Sequence, residues 1–319
     1  MYARFVQILV TGAAGFIGSQ LVRRLTSLGE IRGLDDLSTG SRGNLDGTVV
    51  DLRVGSILDR ELLDDAMAGS DVVVHLAARP SVPRSIADPV SSHDANATGT
   101  LYVLEAARAA RDSTGRDPLI IVASSSSVYG SNPVIPKSEH SLPMPISPYA
   151  VSKLATEQYA VAWQNSYGMR TLAFRFFNVF GPHQAPGHGY AAVVPAFLHA
   201  ALKGEPVTIH GDGLQSRDFT YVGTVCDVIA DAIERNVFHP WPVNLAFGTR
   251  TTLLEVLAKI EQIIGRPVFR HHVEPRIGDV RHSEADSNLL RDLFPSIEPT
   301  PLELGLSQTA DWMRSLVVP

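Results

Sequence analysis

The chain has 319 residues, 45% hydrophobic and 19% charged, with a net charge of −6 and an isoelectric point near 6. That length suits one large or two modest globular units with a sizeable core, and the acidic balance excludes the basic footprint of a nucleic-acid or anionic-membrane binder. A single cysteine, Cys226, excludes an intrachain disulfide framework and a thiol-rich metal site, which fits a reducing cytoplasm.

The opening stretch MYARFVQILVTGAAG passes almost directly into a strand at 6–10 and a glycine turn, so no cleavable leader is expected. No apolar run approaches the ~20 residues that span a bilayer, so no membrane segment is expected either. The next strands in chain order are EIRGL at 30–34, VVDLRV at 49–54, DVVVHLA at 71–77, PLIIVAS at 118–124 and RTLAFRFF at 170–177. Helical patterns lie between them near 15–28, 59–68, 92–111 and 148–167. Continuous apolar strands are strands covered on both faces, and their alternation with helices predicts an α/β fold, a doubly wound parallel sheet of Rossmann type. Beyond residue 178 the rhythm loosens into loops such as GPHQAPGHG and GDGLQSRD, with helical patterns near 191–203, 224–236, 251–264 and 302–316. A smaller C-terminal domain is expected there.

Gly12, Gly15 and Gly18 follow the first strand and open the first helix, where the missing side chains let backbone approach a pyrophosphate and the helix N-terminus offers free N–H groups. Asp35 ends the second strand, 23 residues after Gly12. A carboxylate there accepts bonds from both ribose hydroxyls of NAD and repels the 2′-phosphate of NADP, so NAD is the expected cofactor. Asp36 could share that role, and Arg42 stands close enough in sequence to oppose it. Farther on, SPYAVSKLATEQY places Tyr149 and Lys153 one helical turn apart, so both side chains leave the same helix face.

Further stretches are HLAA at 75–78, SSSSVYG at 124–130, RFFNVFGP at 175–182, GDGLQSRDFTYV at 211–222 and GDVRHSEAD at 278–286. With the glycine spacing and the Tyr149–Lys153 pair, they resemble the extended short-chain dehydrogenase/reductase family, in particular its nucleotide-sugar epimerases and dehydratases. The resemblance covers nearly the whole chain. It implies an NAD-binding domain over 1–177 with a return segment near 218–246, and a nucleotide-sugar-binding domain over 178–217 and 247–319. It places Phe16, Ile17, Leu76, Ala77, Ala78, Asn96 and Phe176 at the cofactor, with Ser56 and Ile57 by the adenine. Relatives carry an aspartate where Ser56 stands, so the adenine contact there is lost or replaced by a hydroxyl bond.

The same resemblance makes Ser125, Tyr149 and Lys153 the catalytic set, with Ser126 beside them, and assigns Asn178, Val194, Arg217 and Arg281 to the nucleotide sugar. A phenol with pKa about 10 is a poor base at neutral pH, and lowering it by roughly three units requires about 4 kcal/mol of phenolate stabilisation. Lys153 and the positive nicotinamide are expected to supply it. Tyr149 then takes a proton from a sugar hydroxyl while hydride passes to NAD. Resembling dehydratases place acids in the two positions after the catalytic serine or threonine, but this chain has Ser126 and Ser127. C4 epimerisation of a UDP-hexose is therefore the expected reaction. A dehydratase using other acids and a non-catalytic NAD-sensing protein are the alternatives.

The small Ser283, three residues before Asp286, implies room for N-acetylated sugars. A homodimer through the helices near 92–111 and 148–167 follows from the resemblance as well. His75 reads as a packed residue, and His183, His188, His271 and His272 as loop and strand residues, since no carboxylate or thiol set accompanies them at metal-ligand spacing. Gly223 and Thr224 have no functional reading.

Overall fold

The computed structural model describes residues 6–186, 192–275 and 281–317. Its centre is a seven-stranded sheet of β1 (Val6–Thr11), β2 (Gly29–Asp35), β3 (Asp51–Val54), β4 (Val72–His75), β5 (Leu119–Ser125), β6 (Arg170–Phe176) and β7 (Val243–Leu245). Their spatial order is β7-β6-β5-β4-β1-β2-β3 and every pairing is parallel. The chain starts in the middle, builds outward through β2 and β3, then returns to the other side of β1 for β4. That reversal opens a crevice at the carboxyl ends of β1 and β4, where sheets of this type bind ligands.

Helices cover both faces, which is why the inner strands β1, β4 and β5 are mostly apolar. On one face α1 (Phe16–Leu25) and α6 (Val222–Glu234) bury Leu21, Val22 and Leu25 against Val225, Val228 and Ile229. On the other, α2 (Arg60–Met67), α3 (Gly99–Thr114) and α4 (Pro148–Tyr167) bury Leu63, Met67, Val103, Leu104, Ala107 and Trp163. Each fully buried Leu or Val contributes about 1.5–3 kcal/mol by leaving water. A third core joins α5 (Val193–Lys203), α7 (Leu253–Ile264) and α8 (Leu302–Val317) through Phe197, Leu198, Val256, Leu257, Ile260 and Leu306.

Three features escaped the sequence patterns. β7 is only three residues long, too short for any period, and it is a strand because Val243 meets Phe174 of β6. Two short helices, Val82–Ala87 and Pro89–His93, precede α3, each with proline in its first turn and a side-chain cap, Ser81 and Asp88. One wide turn at Asp94–Thr98 then leads into α3, so the helix expected from 92 begins at Gly99.

Gly223 and Thr224 are explained by packing. A Cβ on Gly223 would lie 2.7 Å from the Tyr221 ring. The Thr224 hydroxyl donates to Thr300 Oγ1 and accepts from Thr300 N, both at 3.0 Å, tying α6 to the approach of α8. No helix among the described residues is long and apolar enough to cross a membrane.

Candidate active site

Gly12, Gly15, Phe16, Ile17, Gly18, Asp35, Asp36, Ser56, Ile57, Leu76, Ala77, Ala78, Ser125, Tyr149, Lys153 and Phe176 line one long cavity along the carboxyl edge of the sheet. At its first bend Gly12 takes φ +72°, and a Cβ there would lie 2.7 Å from Ala77 N. A Cβ on Gly18 would sit 2.0 Å from Gly12 O, so α1 packs onto the turn only because residue 18 has no side chain. Gly15 is the N-cap of α1 and supplies no side-chain bond, which leaves the first-turn N–H groups to a ligand. Such a cradle fits a dinucleotide pyrophosphate.

Asp35 is built into the same turn. One carboxylate oxygen accepts from Ala14 N at 2.9 Å and the other from Leu37 N at 2.8 Å. Burial pushes this carboxyl up, and those two N–H groups oppose the shift. A carboxylate has about four acceptor sites, so Asp35 keeps capacity for two hydroxyls. Asp36 instead accepts from Ser38 N and Ser38 Oγ at the rim. Arg42 is exposed and does not line the cavity, whose basic lining residues are Arg79 and Lys153. Ser56 accepts from Leu58 N at 3.1 Å and lines the cavity.

Asn96 differs from expectation. It is not in the cavity wall but behind it, where Oδ1 accepts from Arg79 N at 2.8 Å and Nδ2 donates to Arg79 O and Ser152 Oγ. Its side chain orients the wall. His75 is a packed residue: Nδ1 meets Thr11 Oγ1 at 2.7 Å and Nε2 meets Thr100 Oγ1 at 3.1 Å. Thr100 Oγ1 donates onward to Asn96 O, so Nε2 carries the imidazole proton. Burial, with Lys153 nearby, lowers this imidazole to about 3 and keeps it neutral.

Ser125 ends β5 and accepts from Ser127 N at 3.2 Å. Tyr149 stands in the first turn of α4, fixed by its own N–H to Ser85 Oγ at 3.0 Å and by the Ser147 cap. One turn later Lys153 donates from Nζ to Ala123 O at 2.8 Å. Ser124 links the two elements, donating to Lys153 O and to Glu157 Oε2, whose carboxylate also takes two bonds from Arg175. The strand end that carries Ser125 and the helix that carries Tyr149 and Lys153 are thus locked together by buried polar bonds.

Burial raises the Tyr149 phenol, opposed by its bond with Ser125, and lowers Lys153 to about 8. Positive charge brought beside the phenol would oppose the effect of burial and favour the phenolate.

The residues that the resemblance assigns to the nucleotide sugar come from separate segments. Ser216 N donates to Arg281 O at 3.0 Å and Ser283 N to Ser216 O at 3.1 Å, which sets the segment of Arg281 and Ser283 beside the short strand that carries Arg217. Arg217 donates to Ser216 O and Arg281 O, and Arg281 pairs with Asp212 at 2.7 Å. Asn178 N donates to Asp218 O. None of these, nor Ser126, lines the cofactor cavity. Val194 is buried with Phe197, Leu198 and Val256 in the third core. His188 and residues 278–280 of the last motif lie outside the described residues. His183 bonds Ser19 Oγ through Nδ1, and His272 meets Gly211 O on an exposed strand.

Comparison with known proteins accounts for this arrangement. The model of the NAD dependent epimerase/dehydratase family matches residues 8–246. The chain belongs to that family, and its cofactor is NAD. It is 35% identical to a UDP-glucose 4-epimerase of Mycolicibacterium smegmatis, over 97% of this chain and 99% of the relative. It is 34% identical to a dTDP-glucose 4,6-dehydratase of Streptomyces niveus, over 97% and 93%. A solved UDP-N-acetylglucosamine 4-epimerase from Methanobrevibacter ruminantium, in complex with UDP-N-acetylmuramic acid, superposes with a TM-score of 0.91 at 34% identity, covering 98% of this chain and 100% of that one.

Within this NAD-dependent epimerase/dehydratase, three residues that the motifs did not mark stand at or behind the site. Asp218 is fully buried and accepts from Gly248 N, Thr249 Oγ1 and Ala285 N, joining three substrate-side segments. Arg250 donates to Ser216 Oγ, which also meets His282. Gln184 lines the cavity. Asp218 was legible only as the neighbour of Arg217; nothing local signals the other two.

Proposed function

We propose that this chain is a UDP-hexose 4-epimerase, acting on UDP-N-acetylglucosamine and UDP-N-acetylgalactosamine and also on the non-acetylated pair. One observation carries the reading: Ser125, Tyr149 and Lys153 share a cavity whose only lining carboxylates among the described residues, Asp35 and Asp36, stand by the carboxyl end of β2. The positions after Ser125 are serines, so no acid from this wall serves an elimination. Ser283 leaves room for an acetamido group.

Bound NAD supplies the hydride acceptor and, when oxidised, a positive ring beside the phenol. The glycine cradle and first turn of α1 hold its pyrophosphate, Asp35 its ribose hydroxyls, and Ser56 and Ile57 border its adenine. Ser125 Oγ hydrogen-bonds the reacting sugar hydroxyl, and Tyr149 takes the hydroxyl proton as the C–H bond is lost. The keto sugar would turn over in the site between the two hydride transfers that NAD supplies, and Tyr149 would return the proton to the sugar oxygen. Arg217, Arg281 and Asn178 hold the diphosphate while the sugar turns.

Residues 1–177 with 218–246 act as the cofactor domain in this reading, supported by the sheet position of β7 and the packing of α6 on α1. Residues 178–217 and 247–319 hold the nucleotide sugar. We assign a cytoplasmic homodimer through α3 and α4, a reading supported by the half-exposed Val151 on α4.

The test is to incubate the protein with UDP-glucose, UDP-N-acetylglucosamine, UDP-glucuronate and dTDP-glucose and to follow the sugar protons by NMR. Inversion at C4 with conserved mass and no added cofactor is expected. Loss of water would favour the dehydratase reading, for which the Streptomyces niveus relative is the supporting observation.

A further inference from the structure

The turn at 181–184 is held under strain. His183 adopts φ +70°, a conformation unfavourable for a residue with a side chain. It is kept there by Nδ1 on Ser19 Oγ at 2.9 Å, by Gln20 Nε2 donating to Pro182 O at 3.3 Å, and by the Trp312 ring 5.7 Å away. Helices α1 and α8 thus both pin the turn, and its next residue, Gln184, is presented to the cavity from a fixed base.

Gln184 Nε2 donates to Val179 O at 3.2 Å. A carbonyl can only accept, so the amide nitrogen must face it and the orientation of the carboxamide is settled. Its oxygen, Oε1, is buried and has no partner among the described residues. Of the buried side-chain atoms in that condition, it alone belongs to a residue lining the cavity. A buried acceptor left unpaired is destabilising, which makes a ligand donor its natural partner.

The chemistry of that donor follows from position. Gln184 is bonded to Val179, Val179 N to Phe177 O, and Phe176 pairs with Ser125, so Gln184 belongs to the redox end of the cavity. Pyrophosphate offers only acceptors. Phe176, Phe177 and Val179 make apolar walls suited to a ring, and Gln184 is the polar group among them. We propose that Gln184 Oε1 accepts a hydrogen bond from the carboxamide N–H of nicotinamide and so sets which face of the ring meets the sugar.

The test uses the full chain freed of nucleotide and measures binding by calorimetry. NAD is compared with its 3-acetylpyridine analogue, in which a methyl replaces the amide nitrogen, and with ADP-ribose, which lacks the ring. The wild type should prefer NAD over the analogue by roughly tenfold, the scale of one buried hydrogen bond. Gln184→Leu should abolish that preference with ADP-ribose affinity unchanged, and Gln184→Glu, which keeps an acceptor, should retain it. A preference that survives in Gln184→Leu overturns the proposal. So does a parallel loss of ADP-ribose affinity, which would transfer the contact to ribose, and so does a wild type that fails to discriminate.

Discussion

The cofactor end and the substrate end of the site are held by different means. At the cofactor end the surfaces are mostly backbone: the Gly12–Gly18 turn, the first turn of α1, and Leu76–Ala78 after β4, all placed by strand register. Where the resemblance places the nucleotide sugar the strands are two or three residues long, and the segments at 178, 216–218, 248–250 and 281–286 are joined by a few backbone bonds and by one side chain that reaches several of them, the buried Asp218. A backbone site tolerates changes of side chain except where a new Cβ strikes main chain. A side-chain site depends on the charge state of the group at its centre.

The strongest way to break this contrast is Gly18→Ala. Its Cβ would meet Gly12 O at 2.0 Å, with no flexible side chain to yield, so α1 must move off the turn. A loss of about 3 kcal/mol or more in stability is expected, together with loss of retained NAD. Urea titration and nucleotide release on denaturation measure both. Normal NAD content in a folded variant would show that the turn is not the cradle.

Tyr149→Phe tests the seam between the two ends. The ring keeps its packing but the proton acceptor is gone, so kcat should fall on the order of 10²-fold, about 2.7 kcal/mol in barrier. UDP and NAD binding should survive. Near-normal turnover would move the base elsewhere.

The smallest effect is a pH dependence at the substrate end. Burial pushes the Asp218 carboxyl from 3.8 up to about 6, opposed by the N–H of Ala285. Between those values the folded chain holds a proton that the unfolded chain has released, so stability falls as pH rises through the window. From about pH 4.5 to pH 7 the loss is roughly 2 kcal/mol. Asp218→Asn removes the titration, and its stability difference from wild type should shift by that amount over the same range. Parallel stability profiles in the two proteins would show that Asp218 does not titrate there. In the same variant KM for the nucleotide sugar should rise while NAD content is unchanged, because the carboxylate holds only the substrate segments.

Much of the cofactor end was legible in the chain. Strand–turn–helix with Gly12, Gly15 and Gly18 is a contiguous pattern, and each residue acts where it stands. Asp35 was found by spacing, yet its bonds to Ala14 and Leu37 appear only once β2 lies beside β1. Tyr149 and Lys153 were visible through helical period, but the sign of their electrostatics was not, because burial belongs to the surroundings and a sequence does not display them. The resemblance assigned Asn96 and Val194 to ligand contacts, while in the fold the Asn96 side chain bonds Arg79 and Ser152 and that of Val194 packs in the third core.

By itself the sequence determined the fold class, the order of the main strands and helices along the chain and the dinucleotide turn, while the Ser125–Tyr149–Lys153 set is what the family resemblance implies. The first three rest on local preference and on hydrophobic period, which are written into neighbouring residues. Only the tertiary structure decided that three residues at 243–245 complete the sheet, that Asp218 gathers segments up to 67 positions apart, and that Gln184 lines the cavity and keeps a buried oxygen without a partner among the described residues. Each of those depends on what a residue meets across space, and a contact between distant parts of a chain leaves no periodic trace in either of them.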